Sequence, residues 1–443
     1  MENEIISDIN ETIPSYGGVR SAAIKILSRF ERSDAYLEKL VERELKSEQL
    51  NFLDRALLTE IVNGVVRWRW KLDWVLTGFY HGDYLKCLNI VKNALRVALY
   101  QILFLDRVPV SAAVNESVEV VKLIQGEKTA GIVNGVLRNI ARSIPEIRYP
   151  EREEDVAYYL SVMYSHPRWM VKRWLERFGE EETENILSAN NRRPFIPVRV
   201  NTLKATPDDI INFLNDAKIP HFQSSYLKQS IVIKTPKMDI TQLEIFKDGK
   251  ITVQDTSASL AASLANPKEG VSIIDLCSAP GGKAFFLAEL MKDKGSILAL
   301  DKYRLKLPLI EDSIRRLGIN IITTLAADAA TYESEEKFDI VFADVPCSGL
   351  GTISKKPDIK WKREREDLPG LVALQRALLS NAATLVKDDG AIVYSTCTTE
   401  PEENYENIAW FLANFPGFEL DRAEKYLPEK VCKDGFMQTF SHI

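Results

Sequence analysis

Between Arg20 and Arg142 apolar residues return every three or four positions, as in Ala22, Ile24, Leu27 and Phe30, and again in Leu95, Val97, Leu99, Ile102 and Leu103. That period lines one face of a helix and predicts a helical region of about 120 residues. Gly64, Gly82, Pro109, Gly126 and Gly131 fall mostly at breaks. The periodicity runs through IVNGVLRNIAR, so Asn134 opens no helix. The polar run Pro145 to Asp155 reads as a linker, and SHPRWMVKRWLERFG predicts a short helix after Pro167. Beyond it the pattern alternates. Strands are expected at Pro197–Leu203, Ser230–Lys234 and Lys250–Asp255, with a helix at Pro207–Ala217 that has its proline at the first turn. From Ser257 onward strand, glycine turn and helix repeat, with strands near Val271, Ile297, Ile321, Ile340 and Ile392.

These patterns predict three domains: an all-α domain over 1–145, a small α+β domain of ferredoxin-like or RNA-recognition character over 146–256, and a doubly wound, Rossmann-like α/β domain over 257–443. No internal repeat or low-complexity tract interrupts them.

Composition narrows the class. The 443 residues are 45% hydrophobic, ordinary for globular protein. Five cysteines (Cys87, Cys277, Cys347, Cys397, Cys432), with no CxxC pair, argue against a disulfide framework and for a reducing, cytoplasmic location. The four histidines are too scattered for a zinc site, and no metal is expected. The acidic start MENEIISDINE lacks the apolar segment of a signal peptide. No apolar run approaches the ~18 residues of a membrane helix. The net charge of −6 disfavours polyanion binding by the whole surface but leaves room for local basic patches.

The chemistry concentrates where apolar strands of the last domain run into cysteines: VSIIDLC to Cys277, FDIVFADVPC to Cys347 and AIVYSTC to Cys397. The carboxyl ends of strands in an open α/β sheet form the ligand crevice. In DLCSAPGGKAFFLAEL a strand turns through Pro280, Gly281 and Gly282 into a helix, whose first N–H groups are free to meet a ligand. The segment is neither a Walker A loop, since Cys277 and Ala284 stand where glycine and Ser/Thr are needed, nor a GxGxxG turn. Asp301 ends the next strand, where a carboxylate binds ribose hydroxyls, and Asp328 ends a third, placed to accept from an adenine amine. An adenosine-bearing ligand without a phosphate cradle follows, and S-adenosylmethionine fits better than a dinucleotide. Asp344 and Cys347 sit within one turn in DVPCSGLG, and with Cys397 they suit covalent chemistry on a base. Cys87 and Cys432 read as ordinary small apolar residues.

Two basic stretches point to RNA. Lys355, Lys356, Lys360, Lys362, Arg363 and Arg365 surround Trp361, a composition suited to phosphate contact and base stacking, although four acids intervene. Arg192, Arg193, Arg199 and Lys204 form a second cluster in the middle domain.

The elements Asp275–Lys283, Asp344–Trp361 and Tyr394–Asn404 (DxCxAPGGK, DxPCSGxG…PDIKW and YSTC…EEN) closely resemble the RNA (cytosine-C5) methyltransferases, and within them the RsmB (Sun/Fmu) family acting on 16S ribosomal RNA. The helical front is similar to the antitermination factor NusB in DRALLTEIVNGVVRW, ALRVALYQILFLDRVPVSAAVNESVEVVK and VNGVLRNIAR. The resemblance covers nearly the whole chain. It implies a NusB-like RNA-binding domain, an RNA-binding middle domain and an S-adenosylmethionine-dependent methyltransferase domain in a monomer whose partner is small-subunit ribosomal RNA. It further implies that Cys277, Ser278, Ala279, Pro280, Gly281, Gly282 and Lys283, with Asp301, Asp328 and Asp344, bind the cofactor. Cys397 adds to cytosine C6, Asp344 holds or protonates N3, Cys347 assists loss of the C5 proton and release of the adduct, and Lys283 orients the base. The chemistry makes matching demands. Cytosine C5 is a poor nucleophile until a thiolate adds at C6. Such a thiolate calls for a lowered pKa, and a base in a helix must be flipped out first.

Two departures stand out. Ala284 replaces a threonine common in relatives. The chain also ends at DGFMQTFSHI, where relatives continue into a glycine- and phenylalanine-rich strand, so a shortened C-terminus and an exposed sheet edge are expected. Alternative readings are a transfer-RNA or large-subunit RNA target, or a non-catalytic RNA-binding assembly factor. Retention of Cys347, Cys397 and Asp344 disfavours the last.

Overall fold

The computed structural model describes residues 18–47, 50–234 and 238–440. The acidic start MENEIISDINE and the last three residues of the chain lie outside the described residues. By their contacts the described residues divide into two units: 18–192 with 353–362, and 193–352 with 363–440. The helices between 156 and 190 fall in the first unit.

The helical unit consists of α1 (Val19–Phe30), α2 (Leu37–Ser47), α3 (Phe52–Arg67), α4 (Arg69–Phe79), α5 (Asn89–Phe104), α6 (Val110–Arg142), α7 (Val156–Met163), α8 (Arg168–Phe178) and α9 (Glu180–Asn190). The periodic residues Ala22, Ile24, Leu27, Phe30, Leu95, Val97 and Leu99 are buried in one core. Side-chain caps start several helices: Asn51 accepts the Asp54 N–H ahead of α3, and Asp155 that of Tyr158 ahead of α7. The α6 run is broken at Gly126, where φ is 80°.

Residues 353–362 belong to this unit, which corrects the reading of Trp361 as a base-stacking platform. Its indole N–H donates to the Val66 carbonyl (2.6 Å), and its ring stacks on Trp70 at 6.2 Å. Lys360 is fully buried and donates to the Arg67 carbonyl (2.7 Å), while Asp358 accepts the Leu37 N–H at the start of α2 (3.2 Å). Lys362 donates to the Ser33 carbonyl (3.3 Å). These side chains anchor chain to chain, and burial pushes the Lys360 ammonium well below its ordinary pKa.

The second unit opens with β1 (Ile196–Val200), α10 (Pro207–Asp216), β2 (His221–Gln223), β3 (Ser230–Ile233), α11 (Glu244–Lys247) and β4 (Ile251–Val253). Thr206 and Asp209 form a capping box on α10, with Pro207 in its first turn. The strands make an antiparallel sheet in the order β2-β3-β1-β4. One face, with Val198, Val200, Ile231, Ile233 and Ile251, packs with Ile210, Leu214 and Ile245. There follow α12 (Thr256–Ser263), β5 (Ser272–Asp275), α13 (Gly282–Leu290), β6 (Ser296–Asp301), α14 (Leu307–Leu317), β7 (Ile322–Ala326), β8 (Phe338–Asp344), the single turn α15 (Ile359–Lys362) already placed in the helical unit, α16 (Asp367–Leu385), β9 (Val386–Ser395) and α17 (Tyr405–Asn414). The five strands β5 to β9 pair in parallel in the order β7-β6-β5-β8-β9. That order reverses beside β5, the switch point where ligands bind in such sheets.

Arg199 also departs from expectation. It is not part of an RNA-facing cluster. It is fully buried between sheet and helix, where its guanidinium pairs with Glu289 of α13, bonds Gln254 and lies 4.4 Å over the Phe286 ring. Burial lowers the guanidinium pKa and raises that of the Glu289 carboxyl, and their mutual attraction opposes both shifts. Lys204 donates to the carbonyls of Asp248 and Arg316, joining the antiparallel sheet to α14. Removing one member of a buried pair strands the other charge. Arg199→Ala is therefore expected to lower unfolding free energy by ~3–5 kcal/mol in urea titration, with Arg199→Met plus Glu289→Leu recovering much of the loss. A loss under about 1 kcal/mol, the scale of an exposed pair, would contradict this role.

Candidate active site

The sheet order places the sequence-predicted residues along one edge. From β7 to β9 the carboxyl ends carry Asp328, Asp301, the Cys277–Lys283 loop, Asp344 with Cys347, and Cys397. The cysteines stand past the strand ends rather than on them: β5 stops at Asp275, β8 at Asp344 and β9 at Ser395. After β8, Pro346 has no N–H to continue a ladder.

The loop after β5 is tightly made. Ser278 N–H donates to the Leu300 carbonyl (2.7 Å), and Gly281 N–H to the Ser278 carbonyl (2.6 Å). Gly281 has φ 100°, and a Cβ there would stand 2.3 Å from the Phe285 ring, so only glycine makes this turn into α13. Asp275 beneath it is buried, and its carboxyl is pushed up to about 7, chiefly by burial and then by the charge of Asp344. Burial likewise pushes the Cys277 thiol up to about 12, so it is a neutral lining group.

Asp301 is buried at the end of β6, and its Oδ1 accepts the Tyr303 N–H at 2.9 Å. Asp328 is more open. It pairs with Lys302 (2.8 Å) and accepts the Ala330 N–H (3.1 Å), which together hold its carboxyl below the usual range. Free N–H donors at the start of α13, a neutral wall at Cys277 and a fixed acceptor at Asp301 are the groups an adenosine-bearing methyl donor needs, and the set fits S-adenosylmethionine.

Five groups converge at β8 and β9. Lys283, in the first turn of α13, forms an ion pair with Asp344, and Ser395 Oγ donates to the other Asp344 oxygen at 2.7 Å. Cys347 Sγ lies 3.2 Å from Cys397 Sγ and accepts the Cys397 N–H at 3.3 Å. Cys397 is exposed and Cys347 half-buried. The Cys347 thiol is pushed well above its ordinary pKa by its hydrogen bond with Cys397, then by burial and neighbouring negative charge. Gly351 N–H donates to the Cys397 carbonyl (3.0 Å), and a Cβ at Gly351 would crowd that oxygen at 2.9 Å.

The EEN triplet carries no role in the sequence pattern and has one in the fold. Glu403 is fully buried and accepts the Ser348 N–H (2.8 Å), the Ser348 hydroxyl (2.5 Å) and the Gln375 amide (2.9 Å). Asn404 donates to the carbonyls of Thr398 and Glu400 and accepts from the Thr396 hydroxyl. These two residues brace the Cys347 and Cys397 loops, and the only signal for them was their spacing behind Cys397. Among the described residues, no group of three or more His, Cys, Asp or Glu is placed to hold a metal ion, and no helix is long and apolar enough to cross a membrane.

The family model described as 16S rRNA methyltransferase RsmB/F matches residues 262–440, the NusB family model matches 18–142, and a ferredoxin-like domain model of RsmF/B-like methyltransferases matches 166–241. The chain is 36% identical to the probable ribosomal RNA small subunit methyltransferase B of Bacillus subtilis, over 96% of this chain and 95% of that one. It is 34% identical to ribosomal RNA small subunit methyltransferase B of Escherichia coli, over 86% of each. Among solved structures, PH0851 superimposes with a TM-score of 0.80 at 29% identity, covering 96% of this chain and 95% of that one. A methyltransferase homolog from Pyrococcus horikoshii matches 59% of this chain and 83% of its own, with a TM-score of 0.53 at 29% identity. Identity at this level across nearly full-length relatives shows that the chain belongs to the ribosomal RNA small subunit methyltransferase B family.

Proposed function

We propose that this chain methylates C5 of a cytosine in 16S ribosomal RNA through a covalent cysteine adduct. The observation that carries this reading is the thiol pair Cys397 and Cys347, 3.2 Å apart at the end of the sheet that also carries the Lys283–Asp344 ion pair. S-adenosylmethionine, when bound, supplies an electrophilic methyl group. Cys277, Ser278, Ala279, Pro280, Gly281, Gly282 and Lys283 would hold it together with Asp301, Asp328 and Asp344.

Cys397 is the exposed thiol of the pair, which supports it as the nucleophile that forms a bond to C6. Addition pushes electron density onto the ring. Asp344 holds N3, and the ammonium of Lys283 beside it offsets the growing negative charge. Attack by C5 leaves a proton to be removed there. Cys347, having first given its own proton to solvent, takes it as a thiolate, and the electron pair of the broken C–H bond reforms the C5–C6 double bond as the sulfur of Cys397 leaves. The contact with the Cys397 sulfur is the largest cause of the raised Cys347 pKa, and it is lost once that sulfur is bonded to carbon, which eases loss of the Cys347 proton before the step that needs a base.

The reading is tested by incubating the protein with isotopically labelled S-adenosylmethionine and 16S RNA, then digesting the RNA to nucleosides. Label in 5-methylcytidine is expected; label in any other nucleoside refutes the reading. For the cofactor site, calorimetric titration should show Asp301→Ala binding S-adenosylmethionine roughly 10-fold more weakly, the loss of a charged hydrogen bond of ~1.5 kcal/mol. Equal affinity would remove Asp301 from the site.

A further inference from the structure

The middle domain's sheet has an outer face opposite its own helices, and its two ends differ. Residues directly opposite one another share a face, so the register places Phe222, Val232 and Pro197 together at one end and Ser230, Arg199 and Thr252 together at the other. The second end is closed: Arg199 pairs with Glu289 of α13, and the Ser230 hydroxyl bonds that of Thr256 in α12 (2.5 Å). The usual way a sheet of this kind meets RNA, through aromatic rings on its central strands, is therefore blocked, and β1 and β3 carry no aromatic residue.

The first end is open. By strand alternation Phe195 and Lys234 fall on the same face as Pro197 and Val232. Phe195 is 50% exposed and Phe222 41%, with ring centroids 6.3 Å apart, edge to face. The Lys234 ammonium lies 5.2 Å over the Phe222 ring. The segments that supply them are one-sided in charge. Residues 190–207 and 217–234, which supply all five side chains, contain no Asp or Glu, where the chain's 63 acids in 443 residues would place about five. Lys218 and Lys228 flank β2 and β3 and are exposed. Two open rings with a cation over one of them and a local excess of lysine match a strand of unpaired bases with its phosphates.

We infer that Phe195, Phe222 and Lys234 form a docking site for an unpaired stretch of the RNA substrate, on the outer end of the β2-β3-β1 sheet. This rests on the proposed RNA-modifying function. The bases stack on the two rings, and Lys234 reaches the backbone.

The test uses the full chain and fluorescence anisotropy with a fluorescein-labelled single-stranded oligocytidine and an RNA duplex of equal length. Phe195→Ala and Phe222→Ala should each weaken single-strand binding by between about 5- and 150-fold, and Phe222→Trp should restore it. Lys234→Ala should reduce the slope of log affinity against log salt by about 0.7. Affinity for S-adenosylmethionine and the thermal midpoint should stay at the wild-type values, since these side chains lie outside the core. Single-strand affinity within twofold of wild type in both alanine variants overturns the inference and leaves the patch to a protein partner. RNA affinity is read without turnover, so this outcome is distinct from failure of the proposed reaction, which would appear as wild-type protein that forms no 5-methylcytidine.

Discussion

Replacing Cys397 by alanine is expected to lower methylation of 16S RNA by on the order of 10⁴-fold or more while leaving cofactor affinity unchanged. The size follows from the chemistry. C5 of cytosine does not attack a methyl group until a nucleophile has added at C6, and no neighbour takes the place of the lost sulfur: Cys347 is half-buried where Cys397 is exposed. Cofactor affinity holds because the Cys277–Lys283 loop, Asp301 and Asp328 lie at the carboxyl ends of β5, β6 and β7 with β8 between them and Cys397, and Asp344 keeps its bonds to Lys283 and Ser395. Single-turnover kinetics with the variant, alongside calorimetry, check both halves. Turnover within 10-fold of wild type would remove Cys397 as nucleophile.

Replacing Cys347 by alanine is expected to have the opposite signature. Addition at C6 proceeds, but the C5 proton is not removed, so the bond between Cys397 and the ring persists. Loss of a general base typically costs 10²–10⁴-fold, enough for the adduct to outlive denaturation. A band of protein plus RNA on a denaturing gel, absent from the Cys347→Ala, Cys397→Ala double variant, is the expected result. No band with Cys347→Ala under conditions where wild type turns over would show that release does not depend on Cys347.

Much of this site is legible in the sequence because it rests on local rules. A strand followed by Pro-Gly-Gly and a helix, an acid at the next strand end, and cysteines just beyond two further strands each announce a position on the sheet edge. The helix that begins at Pro207 and the helix after Pro167 are local in the same sense. What stays hidden depends on a distant partner. Arg199 reads as a surface cation until Glu289, 90 residues on, is seen to bury with it. Lys360 and Trp361 read as an RNA-facing pair, yet the groups they bond are carbonyls of Arg67 and Val66, some 295 residues earlier. A basic side chain with a long apolar stem looks the same in sequence whether its head ends in water or on buried carbonyl oxygens. Glu403 shows the reverse failure: an acid in a charged triplet suggests solvent, and its work is to tie two loops together from within. The middle sheet combines both cases, since its register hides one end of the outer face and opens the other.

The central claim is a C5 methyl group on one cytosine of small-subunit RNA. Bisulfite sequencing of 16S RNA from cells with and without this gene tests it most directly, because 5-methylcytosine resists conversion. The account predicts one protected cytosine that becomes convertible when the gene is removed and stays convertible when only the Cys397→Ala protein is supplied. An unchanged protection pattern in 16S RNA would contradict it.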